Sequence, residues 1–532
     1  MKTRLLQAIC SGGCLALALL GSIGSVQAQP ATHYVSQWGT NPTPPYTNWV
    51  TAATNIQDAV NAAVPGDSIM VTNGLYPGGI TVTNPLAVVS ANGPQVTVIN
   101  GGGTNPCVSL AAGASLTGFT LTNGYGFGVS CASSEVVSNC AIIGNSGAGA
   151  TGGTLYNCTM SGNFSDGADW CILFNCALTG NAGWGAVGGT NYNCTITANA
   201  VGGAAIVTLY NCIVYFNTAL GGANYDSACA LSYCCTTPLP TNGVGNISAD
   251  PQLASASHLS ANSPCLGAGS ATYASGTDID GEAWGNPPSM GCDEYHAGAV
   301  TGPLEVSLTV SYTNVAIAFP VDLTALIAGR TDLSVWDFGD GTVLSNCPYA
   351  SHSWTATGDH SVTLRAYSDT YPGGVAASVT IHVVAPPIYY VSLSSISPVA
   401  PYSSWSTAAT NLQDAVDAAS VPGGLVLVTN GAYAPATVNT PLRLQSLNGP
   451  DVTVIDGGDV ATCVYLTNNA VLVGFTLTNG FADYYGGGVY CESTNAVVYN
   501  CVLTGNSALS SGGGAYGGTL NNCTLTGNSA GA

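Results

Sequence analysis

A fixed period of apolar and polar positions runs through the first half of the chain. An Asn-Cys pair recurs every eighteen positions, and a second Asn follows each Cys by five residues. The pairs are Asn139-Cys140, Asn157-Cys158, Asn175-Cys176, Asn193-Cys194 and Asn211-Cys212, and the second Asn residues are Asn145, Asn163, Asn181, Asn199 and Asn217. A short fixed period is typical of stacked units that bury their apolar faces against one another. This period suits one turn of a three-sided parallel β-coil.

Within each repeat, apolar and small polar residues alternate after the Cys, as in Cys158, Thr159, Met160 and Ser161. Alternation places the Cys and the next aliphatic residue on the same face of a strand. The pattern therefore predicts two inward columns, the five Cys residues and Ile142, Met160, Leu178, Ile196 and Val214. Gly-Asn pairs such as Gly144-Asn145 predict sharp corners, because both residue types accept a positive φ.

The chain contains two copies of one domain. The sequence from Tyr34 recurs from Tyr390, and the seven residues from Gly118 recur without change from Gly474. Each copy begins with a predicted amphipathic helix, which we expect to cover the open edge of the first coil.

The helix of the first copy is predicted to begin at a capping box of Thr54 and Gln57 and to end at Pro65-Gly66. The helix of the second copy ends at Pro422-Gly423. The apolar faces are Ile56, Ala59, Val60 and Ala63 in the first copy, and Leu412, Ala415, Val416 and Ala419 in the second.

Composition and charge narrow the setting. The 532 residues include 69 Gly and only 5 Lys plus Arg, with a formal net charge of −21. Nucleic acid and anionic lipid require a basic face, so neither is expected as a partner. Residues 1–28 are predicted to be a signal peptide, with Lys2 and Arg4 before an apolar run. No later apolar stretch is long enough to span a bilayer.

The cysteines of an exported protein invite disulfides. Stacked Cys residues have parallel Cβ vectors about 4.8 Å apart, beyond the usual Cβ separation near 3.8 Å. We therefore interpret the Cys column as small buried hydrophobic residues. Cys265 and Cys292 lie outside the column and are the better candidates for a disulfide. No Cys/His spacing indicates zinc.

Several segments resemble one family. Thr54 to Val60, Pro65-Gly66-Asp67 and Asn73 to Tyr76 resemble the entry of the right-handed parallel β-helix (pectin lyase-like) proteins of bacterial surfaces. Asp250 to Leu253 and Thr277 to Gly281 resemble the closing segment of that family. The resemblance covers residues 31–297, and the entry and early coils of 388–532. It implies the fold and leaves the function open, because this fold includes lyases, hydrolases, adhesins and inert stalks.

The segment between the copies resembles a PKD domain, a small extracellular β-sandwich. Trp336 to Thr342, Ser351 to Trp354 and Gly358 to Leu364 carry the resemblance. It places Trp336 in the core. Family members serve as spacers or as weak glycan- or protein-binding modules, and we favour the spacer.

The predicted fold class is all-β, with two right-handed parallel β-helices on either side of a PKD-type sandwich. The domains are a signal peptide at 1–28, a β-helix with an N-terminal capping helix and a C-terminal cap at 29–298, the PKD domain at 303–384 and a second β-helix at 388–532. The second copy stops in mid-coil, so we expect it to be incomplete and the chain to be a fragment.

Evidence for catalysis in the sequence is sparse. Pectate lyase-like enzymes abstract a proton with Arg or Lys, and neither residue occurs between positions 29 and 329. Asp166 and Asp169 share a loop and are weak catalytic candidates, with a solvated corner as the favoured alternative. Asp278, Asp280 and Glu282 suggest calcium weakly, since Ala283 stands where the EF-hand pattern requires Gly. No other cofactor is expected.

An aromatic column of Tyr156, Phe174, Tyr192 and Tyr210 follows the same period. An outward column would be a possible platform for sugar rings, whereas an inward column would be ordinary core, which we favour. The sequence as a whole predicts a secreted or cell-surface protein with a structural, adhesive or glycan-binding role and no catalysis. Its expected partners are polysaccharides or other surface proteins. The alternative is a secreted polysaccharide lyase or glycoside hydrolase.

Overall fold

A computed structural model describes residues 29–218, 224–298 and 302–531. The predicted signal peptide lies outside the described residues. Parallel sheets occupy the regions on either side of a separate, mainly antiparallel region, as the predicted fold class requires. The described residues include two α-helices, Ile56–Ala62 and Leu412–Ala418, and neither is long or apolar enough to cross a membrane.

The first β-helix consists of three parallel sheets, here named A, B and C. Sheet A contains ten strands: Thr32–Val35, Ser68–Val71, Ala87–Ser90, Ser115–Thr117, Val136–Ser138, Thr154–Tyr156, Ile172–Phe174, Thr190–Tyr192, Thr208–Tyr210 and Ala230–Ser232. Sheet B contains nine: Gly74–Pro77, Thr97–Asn100, Thr120–Thr122, Ala141–Ile143, Thr159–Ser161, Ala177–Thr179, Thr195–Thr197, Ile213–Tyr215 and Cys235–Thr236. Sheet C contains seven: Ile80–Val82, Val108–Leu110, Phe127–Cys131, Ala148–Thr151, Ala168–Asp169, Trp184–Val187 and Gly202–Ala205.

Both predicted inward columns are confirmed. All five Cys residues of the repeat are buried, as are the five aliphatic residues from Ile142 to Val214. The thiol of Cys176 contacts the backbone carbonyl of Phe174 at 3.2 Å, and its neighbours repeat this contact. The Asn that precedes each Cys has a positive φ, for example 50° at Asn157, and turns the chain from sheet A into sheet B.

The second Asn of each repeat forms a buried ladder. The Oδ1 of Asn181 accepts hydrogen bonds from the backbone N–H and the Nδ2 of Asn163, at 3.1 and 2.9 Å. The Nδ2 of Asn181 donates to the carbonyl of Met160 and to Oδ1 of Asn199. The ladder runs from Asn145 to Asn217 and satisfies polar groups at a corner that water does not reach.

The capping helix of the first copy packs Ile56, Ala59 and Val60 against the core, as predicted. The predicted capping box was wrong by one residue. The N-cap is Asn55, whose side chain accepts the backbone N–H of Asp58 at 2.9 Å. Gln57 instead hydrogen-bonds the backbone of Thr81 in sheet C, because the helix lies across the end of that sheet.

The segment from Asp250 to Tyr295 closes the first β-helix and is here named the cap. It contains little regular structure and packs on the last coil through Ile213, Cys235, Leu253, Leu259, Cys265 and Met290. Cys265 and Cys292, the better candidates for a disulfide, form none, and all the described cysteines are free thiols. Cys265 lies in this apolar cluster, whereas the thiol of Cys292 contacts the carbonyl of Ser257.

The middle region is a β-sandwich. One sheet contains three antiparallel strands: Glu305–Val310, Val321–Ala328 and Tyr349–His352. The other sheet contains five: Asn314–Ala316, Leu333–Asp337, Val343–Ser345, Gly358–Tyr367 and Val375–Val384. Trp336 is fully buried in the core, as predicted, together with Trp354. The sandwich contacts the first β-helix through Tyr349, whose hydroxyl lies 3.0 Å from that of Thr197.

The second β-helix repeats the first with longer corners. Its largest sheet contains Ile388–Val391, Leu425–Val428, Arg443–Ser446, Val471–Val473, Val497–Tyr499 and Thr519–Asn521. The next contains Gly431–Tyr433, Thr453–Asp456, Thr476–Thr478, Val502–Thr504 and Thr524–Thr526. Two smaller sheets contain Ala436–Val438, Val464–Leu466, Val489–Cys491 and Ala515–Tyr516, and Phe481–Ala482, Ser507–Ala508 and Ser529–Ala530.

Candidate functional site

Sheet C carries both weak catalytic candidates on its outer side. Ala150, Ala168 and Ala186 pair in register across neighbouring strands and point into the core. Side chains alternate along a strand, so Asp169 points outward, in register with Thr151 and Val187. Asp166 lies three residues earlier, where the chain enters the same strand.

The carboxyl groups of Asp166 and Asp169 interact electrostatically. The Oδ1 of Asp166 accepts the backbone N–H of Trp184 at 2.5 Å. Burial, together with the charge of Asp166, raises the pKa of Asp169 to about 6. The Oδ1 of Asp169 has no partner among the described residues. The carboxyl of Asp169 therefore keeps its proton up to about pH 6.

Aromatic residues lie close to this acidic pair along the chain and on the next strand. Trp170 is 66% exposed and Phe164 is 74% exposed, whereas Trp184 is half-buried. Soluble proteins rarely gather several large exposed aromatic residues around a polar centre without a binding role. We name Phe164, Asp166, Asp169, Trp170 and Trp184 the acidic–aromatic face.

Glycines of the next coil make room for both indole rings. A Cβ at position 188 would lie 2.6 Å from the ring of Trp170, and one at position 202 would overlap the ring of Trp184. Gly183 makes the same room for the carboxyl of Asp166. A side chain at any of these positions would collide with the ring or the carboxyl. The glycines therefore allow these groups to rest on the backbone of the neighbouring coil.

Sequence reasoning missed Trp170 and Trp184, although the signal was present. Gly188 follows Trp170 by one full coil period, and Gly202 follows Trp184 by the same step. That step places a glycine beside each ring on the next coil. A large aromatic residue followed by glycine at the coil period therefore predicts a ring that rests on the neighbouring coil.

The aromatic column lies on the outer side of sheet A, so the favoured core interpretation was wrong. Tyr156 is 38% exposed, while its inward neighbour Leu155 is fully buried. Successive ring centroids from Tyr156 to Tyr210 are 4.9, 4.7 and 5.4 Å apart, with interplanar angles of 7, 6 and 19°. Tyr273 of the cap stacks on Tyr210 at 4.1 Å.

Face-to-face stacking changes what this column can bind. Each ring of Tyr156, Phe174, Tyr192 and Tyr210 covers the face of its neighbour, and Tyr273 covers the last one. Only ring edges remain accessible along the column. A pyranose packs its C–H face on an aromatic face, so the column suits stabilisation of the stack better than sugar binding.

The weak calcium candidates are separated by their partners. Asp278 is buried, and its carboxylate accepts backbone N–H groups of Asp280, Glu282 and Glu294. Asp280 lies 3.0 Å from Nε2 of His258, and Glu282 pairs with Arg330. Each carboxylate therefore has its own protein partner.

The second β-helix contains an aromatic column that sequence reasoning also missed. Tyr465, Tyr490 and Tyr516 stack with centroid separations of 5.5 Å, and Tyr485 lies 4.4 Å from Tyr516. Their steps along the sequence are unequal because the corners vary in length, so no fixed period reveals them.

Comparisons with known proteins identify one sequence family and several similar solved structures. The PKD domain family matches residues 305–383, which form the β-sandwich. No curated protein matches the chain. Among solved structures, a pectate lyase is 17% identical over 51% of this chain and 97% of its own, with a TM-score of 0.32. A pectin methylesterase bound to a hexasaccharide is 14% identical over 36% of this chain and 73% of its own, with a TM-score of 0.25. The catalytic domain of a GH87 α-1,3-glucanase is 10% identical over 94% of this chain and 66% of its own, with a TM-score of 0.23. Such identities and TM-scores say nothing about activity.

Proposed function

We propose that this chain is an extracellular glycan-binding protein whose acidic–aromatic face holds a carbohydrate without cleaving it. The parallel β-helix provides a rigid scaffold, and the PKD domain separates its two copies. The basic and apolar start of the sequence supports export. The PKD domain also supports an extracellular setting.

The exposed indole of Trp170 carries the proposal. It is 66% exposed, and Gly188 is positioned where any side chain would displace the ring. Sugar-binding sites combine aromatic surface with a few polar groups that fix orientation. Trp170 and Trp184 supply the surface, and the carboxyl pair supplies acceptors for hydroxyl groups.

The charged residues of the first β-helix give cleavage little support. Glycosidases place two carboxyl groups on either side of the scissile bond, about 5–9.5 Å apart. Asp166 instead accepts the backbone N–H of Trp184, and its charge helps to raise the pKa of Asp169. Eliminative cleavage needs a base, and residues 29–329 contain no Lys or Arg.

Glycoside hydrolysis stays the second candidate because of one observation. The pKa of Asp169 is raised to about 6 by burial and by Asp166, and a raised carboxyl pKa is typical of a general acid. Under this alternative Asp169 would protonate the leaving oxygen, and Asp169→Asn would abolish turnover.

A glycan array with the full chain tests the proposal. Trp170→Ala should weaken binding to its glycan by at least about tenfold, which corresponds to about 1.4 kcal/mol. Trp38→Ala is the matched control, because Trp38 is 80% exposed and lies outside the acidic–aromatic face. Equal binding by Trp170→Ala and the wild type would contradict the proposal. New reducing ends that disappear in Asp169→Asn would support hydrolysis instead.

A further inference from the structure

A second cluster of polar side chains lies in the cap, remote from the acidic–aromatic face. One ligand-type atom from each of His258, Asp280 and Asp293 lies within 4.8 Å of the other two. His258 and Asp293 are buried at 7% and 2% exposure. The carboxyl of Asp280 is partly exposed and faces, with His258, a groove of about 830 Å³ between the first β-helix and the sandwich.

The carboxyl group of Asp293 is only partly satisfied. Its Oδ2 accepts the backbone N–H of Leu259 at 2.8 Å. Its Oδ1 is buried and has no hydrogen-bond partner within the described ranges. An orphaned buried carboxylate oxygen is costly, and it requires a proton, a water molecule or a cation beside it.

The imidazole of His258 is held in place from its other side. The hydroxyl oxygen of Ser255 lies 2.7 Å from Nδ1, and that of Ser257 lies 3.2 Å away. Nε2 consequently points at Asp280, 3.0 Å from Oδ2. Metal-binding imidazoles are usually oriented in this way, through a hydrogen bond at the nitrogen that does not bind the ion.

Charge balance also favours a cation at this place. Asp278, Asp280, Glu282, Asp293 and Glu294 all lie within one short stretch of the cap. Arg330 pairs with Glu282 and with Asp332 of the sandwich, so its charge is already matched. One histidine faces the remaining carboxyl groups, so acidic side chains outnumber basic ones in the cluster.

We propose that His258, Asp280 and Asp293 form a binding site for a divalent transition-metal ion of the Zn²⁺ class. One imidazole nitrogen and two carboxylate oxygens are a ligand set typical of Zn²⁺, whereas Ca²⁺ prefers oxygen ligands alone. Ligands about 2.1 Å from a tetrahedral ion lie about 3.4 Å apart, and the three ligand atoms here lie within 4.8 Å of one another, so a small inward movement would complete the site. His258 and Asp280 line the groove, so a water molecule or a ligand hydroxyl would complete the shell from that side.

Equilibrium dialysis of the full chain against Zn²⁺, read by metal analysis, tests this site. The wild type should bind one Zn²⁺ that Asp280→Asn and Asp293→Asn each weaken by at least about tenfold. His352→Asn is the matched control, because His352 forms a similar pair with Asp340 at 2.8 Å in the sandwich, outside the proposed site. It should keep the wild-type affinity.

A thermal unfolding series gives an independent readout. Zn²⁺ should raise the melting temperature of the wild type and of His352→Asn but not that of Asp280→Asn, since binding stabilises only a chain with an intact site. Because Asp280 is partly exposed, Asp280→Asn should still fold. Its result tests the site even if Asp293→Asn fails to fold. Unchanged affinity in Asp280→Asn, or equal affinity of the wild type for Ca²⁺, would overturn the proposal.

Discussion

Replacement of Asn181 by Leu should strongly destabilise the first β-helix. The Asn181 side chain takes part in four hydrogen bonds, two that its Oδ1 accepts from Asn163 and two that its Nδ2 donates to Met160 and Asn199. It is 1% exposed, so water cannot replace these partners. Each intramolecular hydrogen bond contributes about 0.5–1.5 kcal/mol net, and an orphaned buried group costs more. The expected loss is therefore about 4 kcal/mol.

Thiol labelling in urea, followed by mass spectrometry, measures this loss of stability in the first β-helix. Cys158, Cys176 and Cys194 are buried beside the ladder, so their labelling reports unfolding of the first β-helix alone. Asn105→Leu is the matched control, because Asn105 is exposed and its side chain bonds only Thr104 among the described residues. A loss below about 1 kcal/mol for Asn181→Leu would refute the view that the ladder holds the coils together.

Three further predictions concern the Cys column, the ring of Trp170 and the carboxyl of Asp169. Native thiol labelling of the Cys column should be slow and become fast on denaturation. Cys176→Ser should cost about 1–3 kcal/mol in a urea titration, because a smaller and more polar hydroxyl replaces a thiol packed in a buried column. Gly188→Ala should displace the ring of Trp170 and weaken glycan binding on the array, since the new Cβ would lie 2.6 Å from the indole. The raised pKa of Asp169 means that its contribution to stability is largest at low pH and is lost as pH rises through about 6. Asp169→Asn should remove that decline in melting temperatures recorded from pH 4 to pH 7.

The periodic part of the fold was predictable from the sequence. The constant step between Asn-Cys pairs sets the coil, and alternation after each Cys sets the inward face, so both buried columns were identified correctly. The outward position of Tyr156 was not, because Asn157 adopts a positive φ and interrupts the alternation on which side-chain parity depends. The predicted N-cap of the first helix was displaced by one residue, from Asn55 to Thr54, since both are good N-cap residues.

The candidate sites were only partly predictable. Asp166 and Asp169 were identified by their proximity in sequence, but the raised pKa of Asp169 depends on burial, which a short motif does not contain. Trp170 was missed because its glycine partner lies on the next coil. His258 and Asp293 were missed because the cap has no period, and residues far apart in the sequence meet there only through tertiary packing.

Hydroxyl-radical footprinting of the full chain, with and without a saturating glycan from the array, tests the central claim most directly. Glycan binding at the acidic–aromatic face predicts that Trp170 and Trp184 become protected from oxidation, while Trp38, which is also well exposed to solvent but lies outside the face, is oxidised as before. Unchanged oxidation of Trp170 under saturation, or protection at Trp38 in its place, would contradict the account.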